Sequence, residues 1–235
     1  MTAEQERELA LEYMPELYFD KNEPFPLILV GYTIFEESGI SPSAPRQVVL
    51  DKETETVCIE YAFYYDYDIQ HLYDLEHVWV YIDRNRQICR CESSFHGMYL
   101  NSMIPGVNLL RETGKVHLYV QPGKHAFMPD PKLFALHREF IESCGEKAGA
   151  DGILCPDIIP GMPSYTKQED EMVKKYIRDK YSFVPSEEYG LKNTDSKLLR
   201  PWREVSREIP GRVMGELEKI KSIGSILIHS HASMA

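Results

Sequence analysis

The chain has 235 residues, of which 43% are hydrophobic, with 15 tyrosines and a formal net charge of −11. That length and apolar content are enough to bury a sizeable core, and the acidic balance argues against nucleic acid or an anionic membrane surface as the main partner. There is no apolar run of 18 residues to cross a membrane, the acidic start lacks the apolar stretch of a signal peptide, and the five cysteines include no C-x-x-C pair; together these point to reduced thiols and a cytoplasmic location.

Thr2-x-x-Gln5 has the form of a capping box and predicts a helix over 4–14, stopped by Pro15. Leu17–Phe19 reads as a short strand, Asn22–Pro26 as a turn-rich loop, Leu27–Phe35 as a strand and 37–46 as a loop. Val48–Asp51 and Thr56–Tyr65 follow as strands. Asp83–Asn85 turns the chain into Gln87–Ser94, on which Cys89 and Cys91 are expected to share a face as packing residues, and His96-Gly97 ends the sheet. Lys115–Val120 is a further strand and Pro122-Gly123 a turn.

Asp130 as N-cap with Pro131 behind it predicts a helix to about Ser143, halted at Gly145. Thr166-x-x-Glu169 caps another, with Met172, Val173, Tyr176 and Ile177 on its inner face. Residues 181–196 read as irregular, and 202–222 as helical with a break at Pro210-Gly211. Strands first and helices after imply a β-rich α+β fold. We expect one domain over 1–235, with a β-sandwich core over 1–126 and a helical C-terminal elaboration over 127–235.

Chemistry concentrates between Asp68 and Glu76. In the strand that follows, Asp74, Glu76, Val78, Val80 and Ile82 point one way and Leu75, His77, Trp79 and Tyr81 the other. Two carboxylates thus share a face with β-branched aliphatics. Alternate strand residues lie about 7 Å apart at Cα, so Asp74 and Glu76 can aim at one point, where ionised carboxylates about 4 Å apart repel by ~4 kcal/mol. A proton, a partner cation or a metal must relieve that repulsion. Asp68 and His71 add a carboxylate and an imidazole, an oxygen-rich set that favours Mg²⁺, Ca²⁺ or Mn²⁺ over Zn²⁺. The same string also suits an ordinary acidic strand entrance, and spacing alone leaves both readings open.

His96, beside a glycine at a strand end, and His125, after a Pro-Gly turn, could reach the same rim as ligand-binding groups. Either would equally serve packing. His77 lies opposite the carboxylates and reads as packed, while His229 and His231 belong to the C-terminal tail.

These residues also carry a resemblance. Tyr61-Ala-Phe-Tyr-Tyr-Asp-Tyr-Asp68 is similar to the Tyr-Ser-Trp-Tyr…Lys-Asp segment of the necrosis- and ethylene-inducing-peptide-like cytolysins. Gln70-His-Leu-Tyr-Asp-Leu-Glu76 resembles their heptapeptide Gly-His-Arg-His-Asp-Trp-Glu, departing at Gln70, Tyr73 and Leu75. Ser94-Phe-His-Gly-Met-Tyr99 resembles their Ser-Ala-His-Gly-x-Tyr. Tyr119-Val-Gln-Pro-Gly-Lys-His-Ala126, Asp74-Leu-Glu-His-Val78 and the stretch from Tyr13 to Pro26 resemble a related fungal vacuolar-protein-sorting-associated family.

The resemblance covers roughly residues 9–126. It implies a β-sandwich, a divalent cation on Asp68, His71, Asp74 and Glu76, and functional roles for His96 and His125. The function it suggests is cation-dependent binding of a small polar ligand, a carbohydrate or a lipid head group. A metal-dependent hydrolase with His96 or His125 as acid or base, or a structural metal in a protein-interaction module, would use the same residues. Whether the protein is an enzyme stays open at this level.

Overall fold

Strand periodicity and two capping boxes determine most of the architecture. The computed structural model describes residues 1–104, 110, 113–136, 142–154 and 158–232, with side chains as far as residue 223.

Helix α1 (Ala3–Tyr13) begins at the expected reciprocal Thr2–Gln5 capping box, and the chain then enters β1 (Glu16–Asp20) and β2 (Leu29–Phe35). Two short strands, β3 (Gly39–Ile40) and β4 (Gln47–Val48), pair with each other. The expected 37–46 loop therefore contains a strand, and the strand expected over 48–51 stops at its first residue. The long hairpin β5 (Val57–Tyr67) and β6 (His71–Ile82) follows. Next come β7 (Ile88–Phe95), β8 (Met98–Asn101), β9 (His117–Val120) and β10 (Phe127–Met128).

One sheet runs β13-β2-β5-β6-β7-β8 with β11 (Gly152–Ile153) added alongside β6; the other runs β10-β9-β1-β12. Here β12 is Tyr189–Lys192 and β13 is Leu199–Pro201. The inward residues of the two sheets form a common core: Leu17, Phe19, Leu118 and Phe127 from one meet Tyr61, Phe63, Val78 and Val80 from the other. This is a β-sandwich. As the alternation predicts, Val78, Val80 and Ile82 point into it, while Trp79 and Tyr81 join Phe35, Val48 and Leu50 on the opposite face.

Another part of that outer face, around Leu29, Ala62 and Tyr64, is covered by α2 (Lys167–Tyr181) and α3 (Trp202–Ala232). Helix α2 starts at the expected Thr166–Glu169 capping box, and Met172, Val173, Tyr176 and Ile177 are its packed residues. Helix α3 lays Val205, Ile209, Val213, Leu217 and Ile220 on the same cluster. The expected break at Pro210 does not occur. A stripe of five buried aliphatics repeats at helical spacing across the proline, and at ~1.5–3 kcal/mol each it outweighs the ~3 kcal/mol an interior proline costs.

Other expectations need correction. His96-Gly97 does not end the sheet: both residues have positive φ, 49° and 77°, the backbone of a tight two-residue hairpin turn that starts β8. Cys91 is buried and Cys89 exposed, because a register shift where Tyr81 and Ile82 meet β7 breaks the alternation. The helix expected after Asp130 begins as a 3-10 segment, Pro131–Leu136; its continuation over 137–141 lies outside the described residues. Residues expected to be irregular supply β12, which pairs with β1. Residues after 126 therefore contribute strands to both sheets as well as helices.

Candidate functional site

At one end of the β5–β6 hairpin the chain turns through Asp68. Its Oδ1 accepts hydrogen bonds from the backbone N–H groups of Gln70 (2.5 Å) and His71 (2.7 Å), so this carboxylate is first of all what forms the turn. A second turn, Gln121–His125, docks on the first: the Ile69 N–H donates to the Gly123 carbonyl at 2.7 Å. Gly123 has φ 69°, and a Cβ there would lie 2.8 Å from Ile69 Cβ, so only glycine permits this approach. Its N–H donates to Glu23 Oε2 at 2.7 Å.

The docking delivers Lys124 and His125 to the acidic strand. The Lys124 ammonium pairs with Asp68 Oδ2, which also lies 3.1 Å from His71 Nε2. His125 Nδ1 lies 2.9 Å from Asp74 Oδ2, and its Nε2 is 3.5 Å from Glu23 Oε1, a separation at which the ion pair persists without a good hydrogen bond. The ring stacks on Tyr65 at 3.7 Å and meets Phe25 edge-on. Glu76, also on this strand, accepts from the Ser94 hydroxyl.

Three residues of this rim, Tyr73, His96 and His125, have φ of 57°, 49° and 57°. Left-handed backbone at non-glycine residues costs of order 1 kcal/mol each and collects at functional sites.

The charges are interleaved. Burial opposes ionisation of Asp68, yet His71 and Lys124 hold its carboxyl well below the usual range. Burial likewise opposes charge on His71 and Lys124, and Asp68 outweighs it in both, so both are pushed up. For His125, burial is overcome by Asp74 and Glu23, which raise it to about 9. Glu76 has no cation of its own in contact, and burial together with the neighbouring Asp74 pushes its carboxyl up to about 8.

His96 is tied to the docked turn rather than to the acidic strand: its Nε2 lies 2.7 Å from Gln121 Oε1, and burial lowers its pKa. His125 is fully buried behind Asp74, so any influence it has on a ligand passes through that carboxylate. His77 is packed as expected, stacked on Trp79 and driven down to about 3 by burial, yet it also borders a cleft that Asp74 and Glu76 line. The side chains of His229 and His231 lie outside the described residues, as does Cys155.

The acidic strand forms one wall of a cleft of about 670 Å³, with His71, Tyr73, Asp74, Glu76, Ser94 and Tyr99 among its lining. Asp68, His71 and Asp74 each present a donor atom, all within 4.8 Å of one another. The acceptor count decides how a divalent ion fits. A carboxylate oxygen offers two lone pairs, and Asp68 has all four occupied, Oδ1 by two backbone N–H groups and Oδ2 by His71 and Lys124. Asp74 accepts one bond on each oxygen, from Leu75 N–H and His125, and keeps free lone pairs. The three donors of Asp68, His71 and Asp74 therefore fit a hard cation only when Lys124 gives way and frees a lone pair on Asp68; Glu76 is not among the donors that converge.

Sequence reasoning did not pick out Lys124 or Glu23 for this site. The signal for Lys124 was its place between the permissive Gly123 and His125; for Glu23, only its place in a Glu-Pro-Phe-Pro stretch.

No family model matches this chain, and no curated protein matches it. Solved structures to which it is similar include NLPPya in complex with glucosamine, at 18% identity and a TM-score of 0.36 over 51% of this chain and 64% of that one. Another is Necrosis and Ethylene inducing Protein 2 from the causal agent of cocoa's Witches Broom disease, at 20% identity and a TM-score of 0.33 over 51% and 66%. The non-toxic HaNLP3 protein is similar at 18% identity and a TM-score of 0.34 over 54% and 69%. The chain thus spans just under two thirds of the length of the first two.

Proposed function

We propose that this protein binds a small polar ligand, a carbohydrate or a lipid head group, in the cleft beside the acidic strand, and that a divalent cation on Asp68, His71 and Asp74, with Glu76 beside them, takes part in holding it. The observation that carries this reading is the convergence of Asp68, His71 and Asp74 donors within 4.8 Å at the edge of the cleft. Bound there, Mg²⁺, Ca²⁺ or Mn²⁺ would supply a hard centre that accepts ligand hydroxyl or phosphate oxygens. The chain's own residues do the rest. His125, clamped between Asp74 and Glu23, fixes the rotamer of Asp74, as a hydrogen-bonded partner behind a ligating carboxylate does. Ser94 orients Glu76, and the exposed Tyr99 ring offers apolar surface on which a sugar ring can lie. The resemblance of Gln70–Glu76 to the cytolysin heptapeptide is in keeping with this role.

The test is metal analysis and titration with Ca²⁺, Mg²⁺, Mn²⁺ and Zn²⁺ on wild type and Asp74→Ala, followed by binding of amino sugars and of vesicles bearing sugar head groups, with and without chelator. One equivalent of metal bound by wild type and lost in the variant, with ligand binding that disappears in chelator, is the expected result. Ligand binding unaffected by chelator would remove the cation from the proposal. Absence of binding to any of these ligands would remove the ligand class.

A further inference from the structure

Asp68 and Lys124 form a contact that a metal ion would have to break. The Lys124 side chain is only 11% exposed and Asp68 1%, so this is an ion pair shielded from water, where charge-assisted bonds keep their strength. It is built by the fold rather than by chance approach of a long surface chain. Gly123 admits the turn against Ile69, Glu23 holds the Gly123 N–H, and His125 on the other side of Lys124 is anchored by Asp74. With both flanking residues fixed, the ammonium is confined to the acidic rim. Asp68 has no lone pair left for another partner.

Resting on the cation reading above, we propose that Lys124 is a tethered competitor for the divalent ion: it occupies the Asp68 end of the site, and metal enters only as the ammonium leaves Asp68. Lys124 is thereby the residue that sets the metal affinity of the site. Its side chain, released from Asp68, becomes accessible to solvent when metal binds. In the metal-free state Lys124 supplies the charge compensation the metal would provide, so the rim holds its shape without an ion.

The experiment uses Mn²⁺ as probe and the full-length chain. Equilibrium dialysis compares wild type with Lys124→Met, which keeps the aliphatic stem and removes the charge. The variant is expected to bind Mn²⁺ at least tenfold more tightly. In parallel, the rate at which an amine-acylating reagent modifies Lys124 of the wild type, read by peptide mass spectrometry, is expected to rise severalfold at saturating Mn²⁺. This second readout stands even where the substitution unfolds the protein.

Equal or weaker Mn²⁺ binding by a folded Lys124→Met protein overturns the competitor role and leaves the cation reading intact. Lys124 acylation unchanged by Mn²⁺ bound at one equivalent does the same. Mn²⁺ bound by neither protein overturns both.

Discussion

His125 Nδ1 sits 2.9 Å from Asp74 Oδ2 while its ring lies parallel to Tyr65 at 3.7 Å, in a pocket closed to solvent. The stack fixes the plane of the imidazole, and the carboxylate fixes its charge. Asp74 and Glu23 overcome the burial penalty and raise the imidazole from 6.5 to about 9.

A pH dependence of stability follows. Below pH ~6.5 folded and unfolded chains both carry this proton, and its stabilising effect is complete; from ~6.5 to 9 only the folded chain retains it, so stability falls with rising pH. The loss attributable to His125 is on the order of 3 kcal/mol. Urea denaturation in chelator between pH 6 and 9.5 is expected to show this decline in wild type and a flatter profile in His125→Gln. Equal slopes in the two proteins would refute the assignment.

Glu76 adds a pH-dependent loss of the same sign. It is held protonated to about 8 by burial and by Asp74, so the stability it contributes as a neutral acid is present below the unfolded carboxyl range and is lost as pH rises to about 8. Glu76→Gln is neutral throughout. At pH 8.5 in chelator it is expected to be more stable than wild type by on the order of 4 kcal/mol, and to bind divalent metal at least tenfold more weakly. A destabilised variant in chelator would show that Glu76 is not strained by its neighbours.

Gly123→Ala tests the docked turn. The substitution meets a φ of 69° and a Cβ 2.8 Å from Ile69 Cβ, and should cost about 2 kcal/mol. Because the turn delivers Lys124 and His125, the His125-dependent part of the pH profile should shrink with it. A variant as stable as wild type would mean the two turns can separate freely.

Gly31→Ala tests how the helical layer is seated. A Cβ at Gly31 would lie 2.6 Å from Trp202 Cε3, at the start of the helix that covers part of the outer face of the large sheet. Overpacking of this kind costs about 1–3 kcal/mol. The expected signature is a lower denaturation midpoint and a shifted Trp202 fluorescence maximum, with metal binding at the far rim unchanged.

Short-range physics made much of this molecule legible from its sequence. Alternation placed Val78, Val80 and Ile82 inside the sandwich and Trp79 and Tyr81 outside it. The Thr2 and Thr166 capping boxes marked two helix starts, and of the four residues singled out between Asp68 and Glu76, Asp68, His71 and Asp74 bring donors together. Each of these depends on residues a few positions apart, whose relative geometry strand pleat, helix pitch or a tight turn determines.

Tertiary structure decided what such patterns do not encode. Lys124 meets Asp68 across 56 positions and Glu23 meets Gly123 across 100. Strand β12 finds β1 from the other end of the chain, and helix α3 runs straight through Pro210 because its apolar stripe has a cluster to rest on. Whether the acidic strand is relieved by a metal, a proton or a lysine is a question of which cation the fold brings within contact. That depends on the packing of segments far apart in the chain, where burial makes one ammonium decisive and local sequence carries no record of it.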